Sequence, residues 1–226
     1  AGGLREVEAA HAAAIRIGDR FVEMFALQGK SYILLAARHW DESEGPAAAA
    51  LDLAVQLGAR RYEAFLKMTL GRARLAQGHA AEARQLIDGA MALAEETGLG
   101  FIGPVIAVCQ ALARGPGAEG RACIARAEAM LKDFGLVHNH VFSRVFAIDW
   151  AIDAGDWALA EDLVAALSAY TAAERLPYAD LVIGRARALA ALQRNPKDSQ
   201  ALEALQRWKE IGEAVDFRLD FTPPSQ

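Results

Sequence analysis

Regularly spaced glycines set the frame for this chain. Gly18, Gly58, Gly98 and Gly135 recur at intervals of 40, 40 and 37 residues, each between two apolar runs of helical spacing. A helix ending there wants a left-handed residue, and glycine alone has no Cβ to clash in that conformation. A weaker echo falls at Ile211-Gly212, and Arg175 takes the equivalent place in the unit between. A second punctuation lies about midway through a unit, at Gly78 and at Gly155. The helices that follow carry apolar stripes at helical period: Ala83, Leu86, Ile87 and Ala90 in one, Ala160, Leu163, Val164 and Leu167 in the other. A period of this length predicts stacked helical hairpins, each hiding its apolar face against the next.

The helices expected from this punctuation run over 4–17, 20–39, 46–57, 60–77, 80–97, 100–114, 117–133, 137–154, 157–174, 177–193 and 198–213. Pro46, just after Gly45, is expected at a first helical position, where a missing N–H is harmless, and Pro196 is expected to mark the last turn within a pair. The apolar fraction is 54% and much of it is alanine, the strongest helix former, whose small side chain lets helices approach closely. The predicted fold is all-α, an α-α superhelix of about five helix pairs plus an unpaired N-terminal helix, over residues 1–216. Residues 217–226, with Pro223-Pro224, form a tail expected to end the structure. An array that opens on an unpaired helix, without an initiating methionine, is expected to be part of a longer protein.

Leu70-Gly71, Gly78, Ala83, Ile87 and Ala90 resemble the tetratricopeptide signature, in which small residues mark close helix contacts. The period exceeds the usual ~34 residues and comes nearer the ~40–47 of armadillo and HEAT units. Tetratricopeptide-like arrays of bacterial signalling proteins share this longer spacing. A more specific likeness spans residues 136–192. His138 to Phe142, Asp156-Trp157, Ala169 to Thr171, Glu174 to Asp180 and Arg185 to Leu189 resemble the C-terminal repeat region of bacterial class III adenylate/guanylate cyclases that carry a central ATPase module. The resemblance implies a regulatory array that docks or senses a partner and biases a distant catalytic domain. It carries over no catalytic residue, because the matching segment is not the family's catalytic part.

A formal charge of −5 argues against a broad nucleic-acid footprint, which needs a basic face. The arginine pairs Arg60-Arg61 and Arg72 with Arg74 stand among acidic residues and read as solvated helix faces. Cys109 and Cys123 are not spaced as CxxC and sit in apolar helical surroundings, which fits small buried hydrophobes in a reducing cytoplasm. The most apolar stretch, Phe101 to Ala113, is too short to span a bilayer and holds Gly103, Pro104 and Gln110. No segment reads as a signal peptide, and no membrane role is expected.

No chemical motif stands out. His138-Asn139-His140 is the most metal-like cluster, but histidines two apart on a helix point to different faces. The trio is expected to cap a helix beginning near Val141. Asp156 is expected to cap a helix whose Trp157 packs on its neighbour, and Leu176-Pro177-Tyr178 reads as a helix start. Gly115 to Gly120 is glycine-rich but lacks the lysine and preceding strand of a phosphate loop, and so reads as a turn. Neither catalysis nor a cofactor nor a metal is expected. If the first helix of each pair lines the concave surface, the groove-facing candidates are Tyr32, Met68, Arg72, Val105, Cys109, Phe142, Val145, Asp149 and Arg185. Core packing is an equal alternative for several of them. Their mixture of aromatic, apolar and charged groups suits a protein or peptide partner, or another domain of the parent protein. A small-ligand sensor with its metabolite in the concave groove is the alternative expectation.

Overall fold

The computed structural model describes residues 2–133 and 135–223. Among them are eleven helices in chain order: α1 (Gly2–Ile17), α2 (Arg20–Ala36), α3 (Trp40–Gln56), α4 (Arg60–Ala76), α5 (Ala80–Thr97), α6 (Gly103–Arg114), α7 (Ala118–Asp133), α8 (Val137–Asp153), α9 (Trp157–Tyr170), α10 (Pro177–Arg194) and α11 (Ser199–Ala214). The described residues contain no strand. After α1 the helices pair as α2–α3, α4–α5, α6–α7, α8–α9 and α10–α11, and each first helix also packs on the next first helix. The chain is an α-α superhelix with α2, α4, α6, α8 and α10 on its concave side.

The punctuation works as the spacing predicts at three of the four frame glycines, Gly18, Gly58 and Gly98. Gly18 and Gly58 have φ of 73° and 64°. Around Gly18 the amide of Asp19 donates to Ala14 O at 3.1 Å and that of Gly18 to Ile15 O at 3.2 Å, the bonding that satisfies the last carbonyls of a helix. Asp19 then opens α2 by accepting from the Phe21 and Val22 amides at 3.1 and 3.0 Å. Asp19→Ala should therefore lower the unfolding free energy by about 1 kcal/mol in a urea titration, with the helix content of the folded baseline unchanged. Gly71 serves another purpose. A Cβ there would lie 2.6 Å from Ile87 Cγ1, so glycine is what lets α4 and α5 meet closely over Ala83, Ile87 and Ala90, all fully buried.

Several expectations need correction. Helix α3 begins at Trp40, six residues before Pro46, which lies inside it. The missing Pro46 N–H frees the carbonyl of Glu42, an exposed residue in the first turn, where water can replace the lost bond. Helix α9 stops at Tyr170 and not at 174; Thr171 caps it, its hydroxyl donating to Leu167 O at 3.0 Å. Arg175 is a loop residue whose guanidinium bonds Asp180 at 3.0 Å, and Gly212 lies within α11, which runs on to Ala214.

The tail departs furthest from expectation. Its described part, up to Pro223, does not leave the fold, while Pro224 to Gln226 lie outside the described residues. Asp216, at φ 59°, closes α11 and turns the chain back, with the Phe217 amide donating to Gly212 O at 2.9 Å. Phe217 then meets Tyr178 at 5.1 Å between ring centres, and Leu219 packs against the main core. A Cβ on Gly212 would stand 3.5 Å from Phe221 Cζ, an ordinary van der Waals contact, where the tail crosses α11.

The superhelix winds tightly enough to close on itself. Tyr32 of α2 meets Phe142 of α8 at 4.8 Å between ring centres. Arg38, after α2, forms an ion pair with Asp149 of α8. Asp149 also receives Arg185 of α10 at 3.0 Å, which ties the first, fourth and fifth pairs together.

Candidate functional site

This closure divides the concave face. On the side where α2, α4 and α8 begin, the face stays open as an aromatic cleft of about 240 Å3, lined by Phe25, Gln28, Tyr32, Tyr62, Phe65, Phe101, His138 and Phe142. Phe21 and Phe25 flank it with 45% and 41% of their surface exposed, high for phenylalanine. The rings form a continuous series of edge contacts: Phe21 to Phe25 at 5.2 Å, Phe25 to Tyr62 at 4.8 Å, Tyr62 to Phe101 at 5.5 Å and Phe101 to His138 at 6.2 Å. Each contact after the first steps to the next helix pair.

Two polar atoms are sealed under the rings. Gln28 is buried, and its Oε1 has no hydrogen-bond partner among the described residues; nor has the Tyr32 hydroxyl. A buried polar atom without a partner costs roughly 1–3 kcal/mol, a cost carried by the packed layer under the rings. Arg61 lies at the rim with its guanidinium 5.5 Å from the Phe101 ring centre. That positive charge opposes a cationic guest in the cage and favours a neutral or acidic one.

Beneath the cleft the concave face is filled. Arg72 is buried with its guanidinium 4.1 Å from the Phe146 ring centre and 5.5 Å from that of Trp40, held by cation–π attraction. Burial pushes the Tyr32 hydroxyl well above its ordinary range, reinforced by Tyr178 and Cys109 and only partly offset by Arg72. Burial likewise raises the Cys109 thiol, against the opposing pull of Arg72. Both stay protonated near neutral pH, so neither is poised as a nucleophile.

The candidates read from sequence therefore separate. Tyr32 and Phe142 line the cleft. Met68, Val105, Cys109 and Val145 are core residues with no open surface. Arg72 is stacked between rings, while Asp149 and Arg185 belong to the charged tie that closes the superhelix. Sequence reasoning missed Phe25, Tyr62 and Phe101 and weighed His138 only as a metal ligand or helix cap, although the signal was present. They recur at intervals of 37, 39 and 37 residues, one per unit, at the period already marked by glycine.

The histidine trio has a structural explanation. It does not precede its helix, since α8 begins at Val137. His138 Nε2 bonds Phe101 O at 2.9 Å, and Asn139 Nδ2 donates to Gly100 O at 2.9 Å, fastening the loop before α6 to the start of α8. His140 turns elsewhere and stacks on Tyr170 at 4.4 Å. Asp156 caps α9 as expected, accepting from Leu159 N at 3.3 Å, and Trp157 packs on the last pair. Among the described residues no three His, Cys, Asp or Glu side chains converge as a metal-ligand set, and no helix is long and apolar enough to cross a membrane.

No family model, curated protein or solved structure matches this chain.

Proposed function

We propose that the chain is a protein-interaction module that grips a peptide segment of its partner by inserting an apolar side chain into the aromatic cleft. One observation carries this: aromatic residues from four successive units meet at the open mouth of the superhelix and leave large ring surfaces exposed to water. Exposed aromatic surface of this kind typically supplies the anchors of an interface, and a cleft of this size fits one leucine, phenylalanine or tryptophan side chain. Arg61 favours an acidic residue beside the anchor. The cyclase-type resemblance of residues 136–192 would make the partner a segment of the same signalling protein or of its effector, and the module itself regulatory.

Selection from a displayed library of short peptides tests this directly. Binders should share an aromatic or aliphatic anchor, and the double substitution Phe25→Ala and Tyr62→Ala should weaken them at least about tenfold, as truncation of anchor contacts does. Both rings are partly exposed, so the variant should keep its fold by circular dichroism. Binders without an anchor, or equal affinity for the variant, would defeat the proposal.

A further inference from the structure

A different part of the concave face already holds a non-helical peptide, the chain's own segment 216–221. Its contacts fall into two kinds. The backbone is taken by fixed groups of the superhelix: His39 Nε2 bonds Asp216 O at 3.0 Å, the Arg218 amide donates to Ala37 O at 3.1 Å, and the Arg185 guanidinium donates to Asp220 O. The side chains alternate. Phe217, Leu219 and Phe221 turn inward, onto Tyr178, the main core and the last pair respectively, while Arg218 and Asp220 are exposed.

The segment runs along α10 with one bend, where the Leu219 amide donates to Phe217 O at 3.1 Å. From Tyr178 to Arg185 is seven helical residues, about 10 Å of rise. Three residues from Phe217 to Asp220 reach at most about 10 Å, so the bent segment spans most of that length. The segment has no regular secondary structure of its own, and a groove of about 760 Å3 remains between it and α11. Backbone clamps at both ends with contacts for every second side chain make a receptor for a non-helical peptide bent as the tail is, and nothing in the clamps requires that peptide to be covalently attached.

We propose that this surface is a second docking site, separate from the aromatic cleft, and that it takes a non-helical segment of a partner protein with apolar residues at three alternating positions. The tail holds the site in cis and is displaced when the partner binds. Because the tail is tethered, it competes at an effective concentration of order millimolar, so a free peptide meets the site only when the tail is weakened or the peptide is in excess.

A fluorescent peptide copying residues 214–223 is the probe. It should bind the full chain carrying Phe217→Ala and Leu219→Ala at least about tenfold more tightly than it binds the unaltered chain. A peptide with serine in place of its three alternating apolar residues should bind neither. The second arm needs no variant: excess copy peptide added to the unaltered chain should speed hydrogen exchange of the Arg218 amide. Equal binding to both chains together with unchanged Arg218 exchange would overturn the proposal. So would light scattering that showed the unaltered chain pairing by exchange of tails, which would assign the site to a second copy.

Discussion

Asp149→Ala should cost about 3–5 kcal/mol of stability, the loss typical when one partner is removed from a buried ion pair. Asp149 is a node and not one half of a pair. Its Oδ1 receives Arg185 at 3.0 Å and its Oδ2 receives Arg38, and the carboxylate is the only acidic group in salt-bridge contact with either guanidinium among the described residues. The Arg185 side chain keeps 3% of its surface, so water cannot replace the lost anion there; the carbonyl of Asp220 remains its one partner among the described residues. The Arg38 side chain keeps 20% and recovers part of its solvation, which places the expected loss toward the lower figure. In a chain of this length that loss corresponds to a fall in Tm of roughly 6–12 °C. Asp149→Asn, which retains one acceptor oxygen but no charge, should fall between the two. Because Asp149 links pairs far apart in the superhelix, small-angle scattering of the alanine variant should also show a larger radius of gyration. A variant as stable and as compact as the parent would mean that the tie contributes nothing to closure.

The local grammar of the fold is open to sequence reasoning because glycine both permits and marks the left-handed residue at a helix end. Gly18, Gly58, Gly78, Gly98 and Gly155 all have positive φ, and the helices beside them end within a residue or so of expectation. Where the same conformation falls on another residue the signal disappears. Arg38 stands at φ 64° with the same bonds, the His39 amide to Leu34 O at 2.8 Å and its own to Leu35 O at 3.0 Å. That conformation costs a non-glycine residue roughly 1–2 kcal/mol, a strain that ion pairing of this arginine with Asp149 can offset. No local rule foresees it, which is why α3 starts well ahead of the position that Pro46 suggests. Asp216 repeats the case and hides the inward turn of the tail, although Phe217, Leu219 and Phe221 alternate as a half-buried strand would. The charged tie is illegible for a different reason. Asp149 stands 111 residues from Arg38 and 36 from Arg185, and only the curvature of the whole array brings them together. The aromatic cleft lies between these extremes: its residues keep the repeat period, so a search for aromatic recurrence at that period finds them.

Gly120→Ala should destabilise the fold by about 3 kcal/mol, the upper part of the usual range for overpacking. The added methyl would stand 2.6 Å from Gly115 O and 2.6 Å from Trp150 Cζ2, contacts that require something to move. Neither neighbour is free to do so. The Trp150 side chain is buried between pairs, and its Nε1 donates to Ala111 O and Gly115 O, each at 3.1 Å. Gly115 itself closes α6 at φ 78° and turns the chain toward α7, so shifting its carbonyl means moving the whole hairpin. Trp150 thus fastens the fourth pair to the turn of the third, and the absence of a side chain at Gly120 admits its ring. Near-ultraviolet circular dichroism should lose part of its tryptophan signal in the variant, and Tm should fall by roughly 6–12 °C. Gly89→Ala is the matched control, since Gly89 lies in α5 and a methyl added there would meet nothing within 4 Å. There the same chemical change should stabilise the chain by about 0.5–1 kcal/mol through helix propensity alone. Opposite signs for one substitution at two helical glycines would separate close packing from backbone entropy, whereas loss of similar size at both would remove Trp150 as the cause.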